Sequence, residues 1–116
     1  MVLNGCYQMM MKRDTAALEL TVKDTTVTGS LQYNLYEKDR NTGTLQGVLR
    51  NDIIYADYTF QSEGMTSVRE VAFKIQDGAL LQAVGAVSEQ NSKVVFKDQA
   101  TLQFPTDAPF LKTACR

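Results

Sequence analysis

The chain has no histidine and no tryptophan, and only two prolines and two cysteines among its 116 residues. The missing histidine excludes the commonest general base, the usual serine or cysteine triads and most zinc and copper centres. Any catalysis would rest on carboxylates. With 13 Asp and Glu residues some pair arises by chance, so spacing does not single out a glycosidase-type couple, and no enzyme activity is expected. A long apolar run is also missing: none approaches the roughly 18 residues that read as a membrane span. No excess of one charge is present either. Twelve Lys and Arg against 13 Asp and Glu leave a net charge of −1, which argues against nucleic acid as a partner.

The length suits one domain, 1–116, with a single core. The two cysteines stand at opposite ends, Cys6 and Cys115. A bridge between them would close nearly the whole chain into one loop and imply an oxidising compartment. The alternatives are two unrelated buried thiols, or Cys6 as a lipid-bearing residue, because Leu3-Asn4-Gly5-Cys6 loosely follows a lipobox. The opening Met1-Val2-Leu3-Asn4 is too short to hold a signal peptide, so any export signal is expected upstream.

Turn-forming clusters recur at Arg13-Asp14, Lys23-Asp24, 36–47, Asn51-Asp52, Glu63-Gly64, Asp77-Gly78 and 88–92. Asp77-Gly78 is the sharpest, since a two-residue type I′ turn needs positive φ at both central positions. Between the turns the period is two. Ala16, Leu18, Leu20 and Val22 alternate with Glu19, Thr21 and Lys23, and Val27, Leu31, Tyr33 and Leu35 repeat the pattern. Ile54, Ala56, Tyr58 and Phe60 share a face, as do Met65, Val71, Phe73 and Ile75. A short helical turn fits near Asp98 to Ala100, and the last segment, Phe110 to Cys115, is expected beside the first strand. Together these features predict an all-β fold, a small antiparallel up-and-down β-barrel of about eight strands, with a β-sandwich as the alternative.

Several stretches carry a family likeness: "GCYQ", "DTAALEL", "VTGSLQYNLYEKDRNTGTLQG", "DYTFQSEGMTSVREVAF" and "KVVFKD", in that order. They resemble an uncharacterised family of bacterial envelope lipoprotein-like domains, of the kind found in Bacteroidetes. The most specific matches are Glu37-Lys38-Asp39 with Asn41 and Gly43, and Ser62-Glu63-Gly64 followed by Ser67, Arg69 and Glu70. The likeness weakens at Asn51-Asp52, where a Gly-Asp turn is expected, and at Gln82 to Val84, where a more acidic run is expected. It implies a bacterial cell-envelope location, periplasmic or outer-membrane-anchored, with membrane contact only through an N-terminal lipid anchor missing from this chain. It supplies no reaction and no ligand.

Four constellations invite a functional reading. Asp39, Asn41 and Gly43 follow the first half of a calcium loop, but the twelfth position is Arg50, a cation where the loop needs Glu. A charged hairpin with Gly43 at a bulge is therefore expected, and no metal. Ser67 and Arg69 fall on the apolar face of their strand, so Arg69 needs a carboxylate, carbonyls or an anionic ligand group. Glu37 and Glu63 are its candidate protein partners. Tyr33, Tyr55, Tyr58 and Phe73 would pack on the body of a small apolar or amphipathic ligand or fill the core instead. Met9 to Met11 with Met65, lacking any histidine or cysteine cluster beside them, read as packing or as an apolar rim and not as a soft-metal site. Ser67, Arg69, Tyr33, Tyr55, Tyr58, Phe73 and Glu37 thus form the expected ligand site, without a cofactor. The competing expectation is a structural module with a packed core that contacts another envelope protein. Nothing in the composition selects an oligomeric state.

Overall fold

A computed structural model describes residues 3–34, 40–62 and 64–115. The first six strands are β1 (Gly5–Met11), β2 (Asp14–Lys23), β3 (Thr26–Asn34), β4 (Arg40–Arg50), β5 (Ile53–Ser62) and β6 (Met65–Gln76). They pair antiparallel with their sequence neighbours, as a meander requires. Four short strands follow: β7 (Ala79–Gln82), β8 (Val87–Gln90), β9 (Lys93–Phe96) and β10 (Leu111–Thr113), with a 3₁₀ turn over Gln99–Thr101.

Asp77-Gly78 turns as expected, whereas the turn expected over 88–92 narrows to Asn91-Ser92, because Ser88 to Gln90 pair in β8. Asn51-Asp52 and Asp77-Gly78 each link adjoining strands with both residues at positive φ, the type I′ geometry that matches strand twist. Asn91-Ser92 does the same between β8 and β9. Asp98 caps the 3₁₀ turn, accepting a bond from the Ala100 amide at 2.9 Å.

The strand order is β10-β1-β2-β3-β4-β5-β6-β9-β8, with β7 also on β6. β7 takes the C-terminal part of β6, while β9 runs parallel to its N-terminal part over Val68 and Arg69. β10 lies against β1 through Cys6, Tyr7 and Gln8, as the sequence led us to expect. The expected closed barrel is corrected. The margins of the curled sheet meet at a single bridge, Leu80 to Phe110, whose two hydrogen bonds measure 3.0 and 2.8 Å. No ladder runs along that seam among the described residues, so the all-β architecture is a strongly folded-over sheet, and the sandwich alternative fits it.

Alternation explains the core. Tyr7, Leu18, Leu20, Val27, Leu31, Ile54, Tyr58, Phe73, Leu80 and Phe110 are sealed inside, each side chain contributing about 1.5 to 3 kcal/mol of transfer free energy. Phe73 and Phe110 meet edge to face at 5.5 Å, which binds the seam to the interior of β6. On the opposite face, Ala72 and Leu81 are also buried. The chain after β7 folds back there: Val84 bridges to Gln103, Gly85 abuts Leu102, and the Lys74 ammonium stands 6.0 Å over the Phe104 ring. Glu70 anchors this return by accepting from the Phe96 amide at 2.9 Å and the Gln99 carboxamide at 2.7 Å.

Gly43 is not at a bulge. It pairs in register with Leu31 on one side and Phe60 on the other, inside β4. A Cβ there would strike the Thr59 carbonyl and stand 2.6 Å from the Phe60 Cα. The glycine is what lets β4 and β5 approach closely where the sheet turns over the core.

Candidate functional site

Among the described residues one end of the folded sheet is left open, and a cleft of about 570 Å³ enters it. β1 supplies Met9 and Met11, which continue the inward series begun by Tyr7. β3 and β4 supply Tyr33 and Asn41, which face each other in the ladder. The floor is Tyr58 and Phe60 from β5 with Arg69 and Val71 from β6. Gln82 at the end of β7, with Ala83 and Val84 after it, forms the far wall, completed by Pro105, Asp107 and Ala108 from the loop ahead of β10.

The aromatic rings are ordered by the strands. Tyr58 and Phe60, two residues apart on one face, stack at 4.9 Å and 18°, and Tyr33 meets Tyr58 edge on at 6.0 Å. The Tyr58 hydroxyl donates to the Leu31 carbonyl at 2.8 Å. Tyr33 has no such outlet: among the described residues its hydroxyl is the one buried side-chain polar atom without a hydrogen-bond partner. Burial pushes its pKa up to about 12, against weaker opposing influences from the Gln82 carboxamide and the Arg69 charge. Gln82 is thus near enough to favour the phenolate slightly, yet stops short of hydrogen-bond geometry. Burial raises the Tyr58 pKa as well, with a smaller contribution from Tyr33.

Arg69 lines the cleft on the apolar side of β6, where alternation put it, but it is solvent-exposed at the open end. Among the described residues no carboxylate lies within ion-pair distance of it; Lys93 and Asp57 pair with each other at 2.7 Å elsewhere. Its expected partners Glu37 and Glu63 lie outside the described residues, as does Asp39 of the calcium motif.

The expected ligand residues separate into two groups. Tyr33, Tyr58 and Arg69 come together in the cleft. Phe73 does not reach it, being fully buried against Phe110. Tyr55 is on the opposite face, since Ile54, Ala56 and Tyr58 take the inward positions; its ring carries the Arg50 guanidinium at 5.0 Å. Ser67 faces Phe60 across the ladder but is exposed outside the cleft. Strand alternation already separates Tyr55 from Tyr58, and Met9, Met11 and Phe60 follow from the same rule. Asn41 belongs to the cleft wall and not to a metal loop, because it lies within β4. The contributions of Gln82 to Val84 and of 105–108 have no periodic signal.

Cys6 and Cys115 form the disulfide, with Cα atoms 5.2 Å apart. Glu19 places a carboxylate oxygen 3.8 Å from the Cys6 sulfur. These three residues are the described group whose donor atoms converge as metal ligands could, but both sulfurs are spent on the bridge. A groove of about 350 Å³ runs beside it over the outer face, past Gln8, Ala17, Ser30 and Thr42. No buried unpartnered side-chain polar atom among the described residues belongs to that groove. No protein-family model, curated protein or solved structure matches this chain.

Proposed function

We propose that the chain is a non-enzymatic ligand-binding domain of the bacterial cell envelope, which holds a small amphipathic molecule in the cleft at the open end of the sheet. One observation carries the reading: the cleft joins an apolar floor to a buried, unsatisfied hydroxyl at Tyr33. A buried polar group without a partner costs about 1 to 3 kcal/mol, and a ligand that satisfies it recovers that cost. The volume falls within the roughly 300 to 1,000 Å³ typical of small-molecule sites. Arg69 supplies a charged end and Tyr58, Phe60 and Val71 an apolar body. The envelope location rests on the family resemblance and agrees with an intact disulfide between the chain ends.

Native mass spectrometry of protein purified from its own cell envelope tests this directly. A retained small molecule, lost on substituting Tyr58 and Phe60 by alanine, is the expected result. Protein recovered ligand-free, together with no binding of a neutral apolar fluorophore, would count against the pocket. A protein-interaction module is the second reading, favoured by Leu111, 57% exposed on the margin strand β10, and Met10, 67% exposed beside it on β1. Co-purification of an envelope protein that is lost on Leu111→Lys would favour it.

A further inference from the structure

Arg69 and the Tyr33 hydroxyl set the chemical character of the cleft's polar end. Arg69 can only donate hydrogen bonds, and it does so through a planar fork suited to carboxylate or phosphate. Gln82 and Asn41 can each present an amide NH₂ or a carbonyl oxygen, and the Tyr33 hydroxyl is buried with its proton unshared. Asp107 is the one anionic side chain among the described cleft residues, and it stays beyond ion-pair distance of Arg69. The guanidinium is thus a donor without an internal acceptor among the described residues, beside a hydroxyl in the same state.

We infer that the ligand is a single-chain carboxylate, its head group received by Arg69 with Gln82 and the Tyr33 hydroxyl behind it and its alkyl chain laid over Met9, Phe60 and Val71. This inference rests on the reading of the cleft as a ligand pocket. Charge count selects the head. One arginine balances one negative charge, whereas a phosphate dianion would bring a second charge towards Asp107. The walls select the tail: Met9 and Met11 are unbranched and adaptable, and fit a flexible chain better than a rigid ring system. At about 30 Å³ for each non-hydrogen atom, the share of one water, a cleft of about 570 Å³ holds at most about 19 such atoms. Because the cleft is open to solvent, we take roughly 12 to 16 as its capacity, which matches carboxylates of about ten to fourteen carbons.

The test is calorimetric titration of the purified, delipidated full chain with decanoate, decanol, decylamine and decyl phosphate, each below its micelle concentration. Decanoate is expected to bind with one-to-one stoichiometry, at least about tenfold tighter than decanol, as one charge-assisted contact gives. Arg69→Gln should weaken decanoate by about tenfold or more and leave decanol unchanged, which also shows that the variant is folded. Tyr33→Phe should weaken decanoate severalfold without lowering the melting temperature, an outcome that a merely structural tyrosine would not give. Equal binding of decanoate and decanol, tighter binding of decylamine or decyl phosphate, or indifference of decanoate to Arg69→Gln would overturn the carboxylate assignment and leave the pocket standing. Binding of none of the four would overturn both.

Discussion

The Tyr58 hydroxyl donates to the Leu31 carbonyl across the interior at 2.8 Å, while the neighbouring Tyr33 hydroxyl, equally withdrawn from water, donates to nothing among the described residues. Two tyrosines in edge contact therefore predict opposite responses to the same deletion. Tyr58→Phe removes a satisfied, buried hydrogen bond, and is expected to cost about 1 to 2 kcal/mol. Tyr33→Phe removes a group that already bears its desolvation cost, so stability should stay within about 0.5 kcal/mol or rise. Urea denaturation of both variants checks the pair, and a loss at Tyr33 matching that at Tyr58 would contradict the assignment.

The same burial sets an alkaline limit. The Tyr33 pKa is pushed from 10.0 up to about 12 in the folded chain. Above pH 10 the unfolded chain releases this proton and the folded chain keeps it, so the unfolded state binds fewer protons and stability falls as pH rises. For this one group the slope is about 1.4 kcal/mol per pH unit from pH 10 to about 12, where the folded form also ionises. Tyr58 acts in the same direction. Denaturant midpoints recorded from pH 9 upwards should decline above pH 10, and Tyr33→Phe should make the decline shallower. An unchanged slope in that variant would show that Tyr33 ionises normally.

The legible and illegible parts of this fold divide on physical lines. A half-buried strand records its orientation residue by residue, so Ala16, Leu18 and Leu20 could be placed inside from their spacing alone. Asp77-Gly78 announces its turn because few residue pairs accept positive φ twice. Arg69 could be placed on the inner side of β6 by the same counting. Closure of the sheet was not legible, because it depends on one bridge between Leu80 and Phe110, distant in sequence and unmarked by composition. The far wall of the cleft was hidden for a similar reason: Ala83, Val84 and 105–108 lie outside the strands and Gln82 ends the four-residue β7, all of them placed by tertiary contact. Gly43 misled because glycine signals a turn and close strand packing alike.

That ambiguity can be tested by comparing two glycines. At Gly78, φ is +80° and a Cβ would meet nothing within 4 Å, so Gly78→Ala should cost only left-handed backbone strain, about 1 to 2 kcal/mol. At Gly43 the obstacle is backbone: the Thr59 carbonyl, with the Phe60 Cα at 2.6 Å. A strand held on both sides cannot yield without breaking its ladders, so Gly43→Ala should cost about 3 kcal/mol or more. Melting curves of the two variants should rank Gly43→Ala well below Gly78→Ala; the reverse order would mean that β4 and β5 can separate at little cost.

β10 depends on its disulfide more than on its packing. It pairs with β1 at three positions, and Leu111, Lys112 and Thr113 are all exposed, so apolar burial along this strand adds little to that short ladder and to the Lys112 ammonium 5.9 Å over the Tyr7 ring. The bridge from Cys6 to Cys115 spans 109 residues, and in the loop-entropy picture a closure of that length contributes about 4 to 5 kcal/mol. The double variant Cys6→Ser, Cys115→Ser should therefore lose about 3 to 5 kcal/mol in denaturant titrations, with allowance for strain and residual unfolded-state order. Hydrogen exchange separates the two ways of losing it. Phe110 is fully buried and exchanges two backbone bonds with Leu80, so it can hold the seam without the disulfide. If it does, protection should vanish in 111–113 and persist at the Leu80 and Phe110 amides. Should those two amides also open in the native baseline, then fraying has passed the seam to Ala108, and the disulfide is what keeps that wall of the cleft in place.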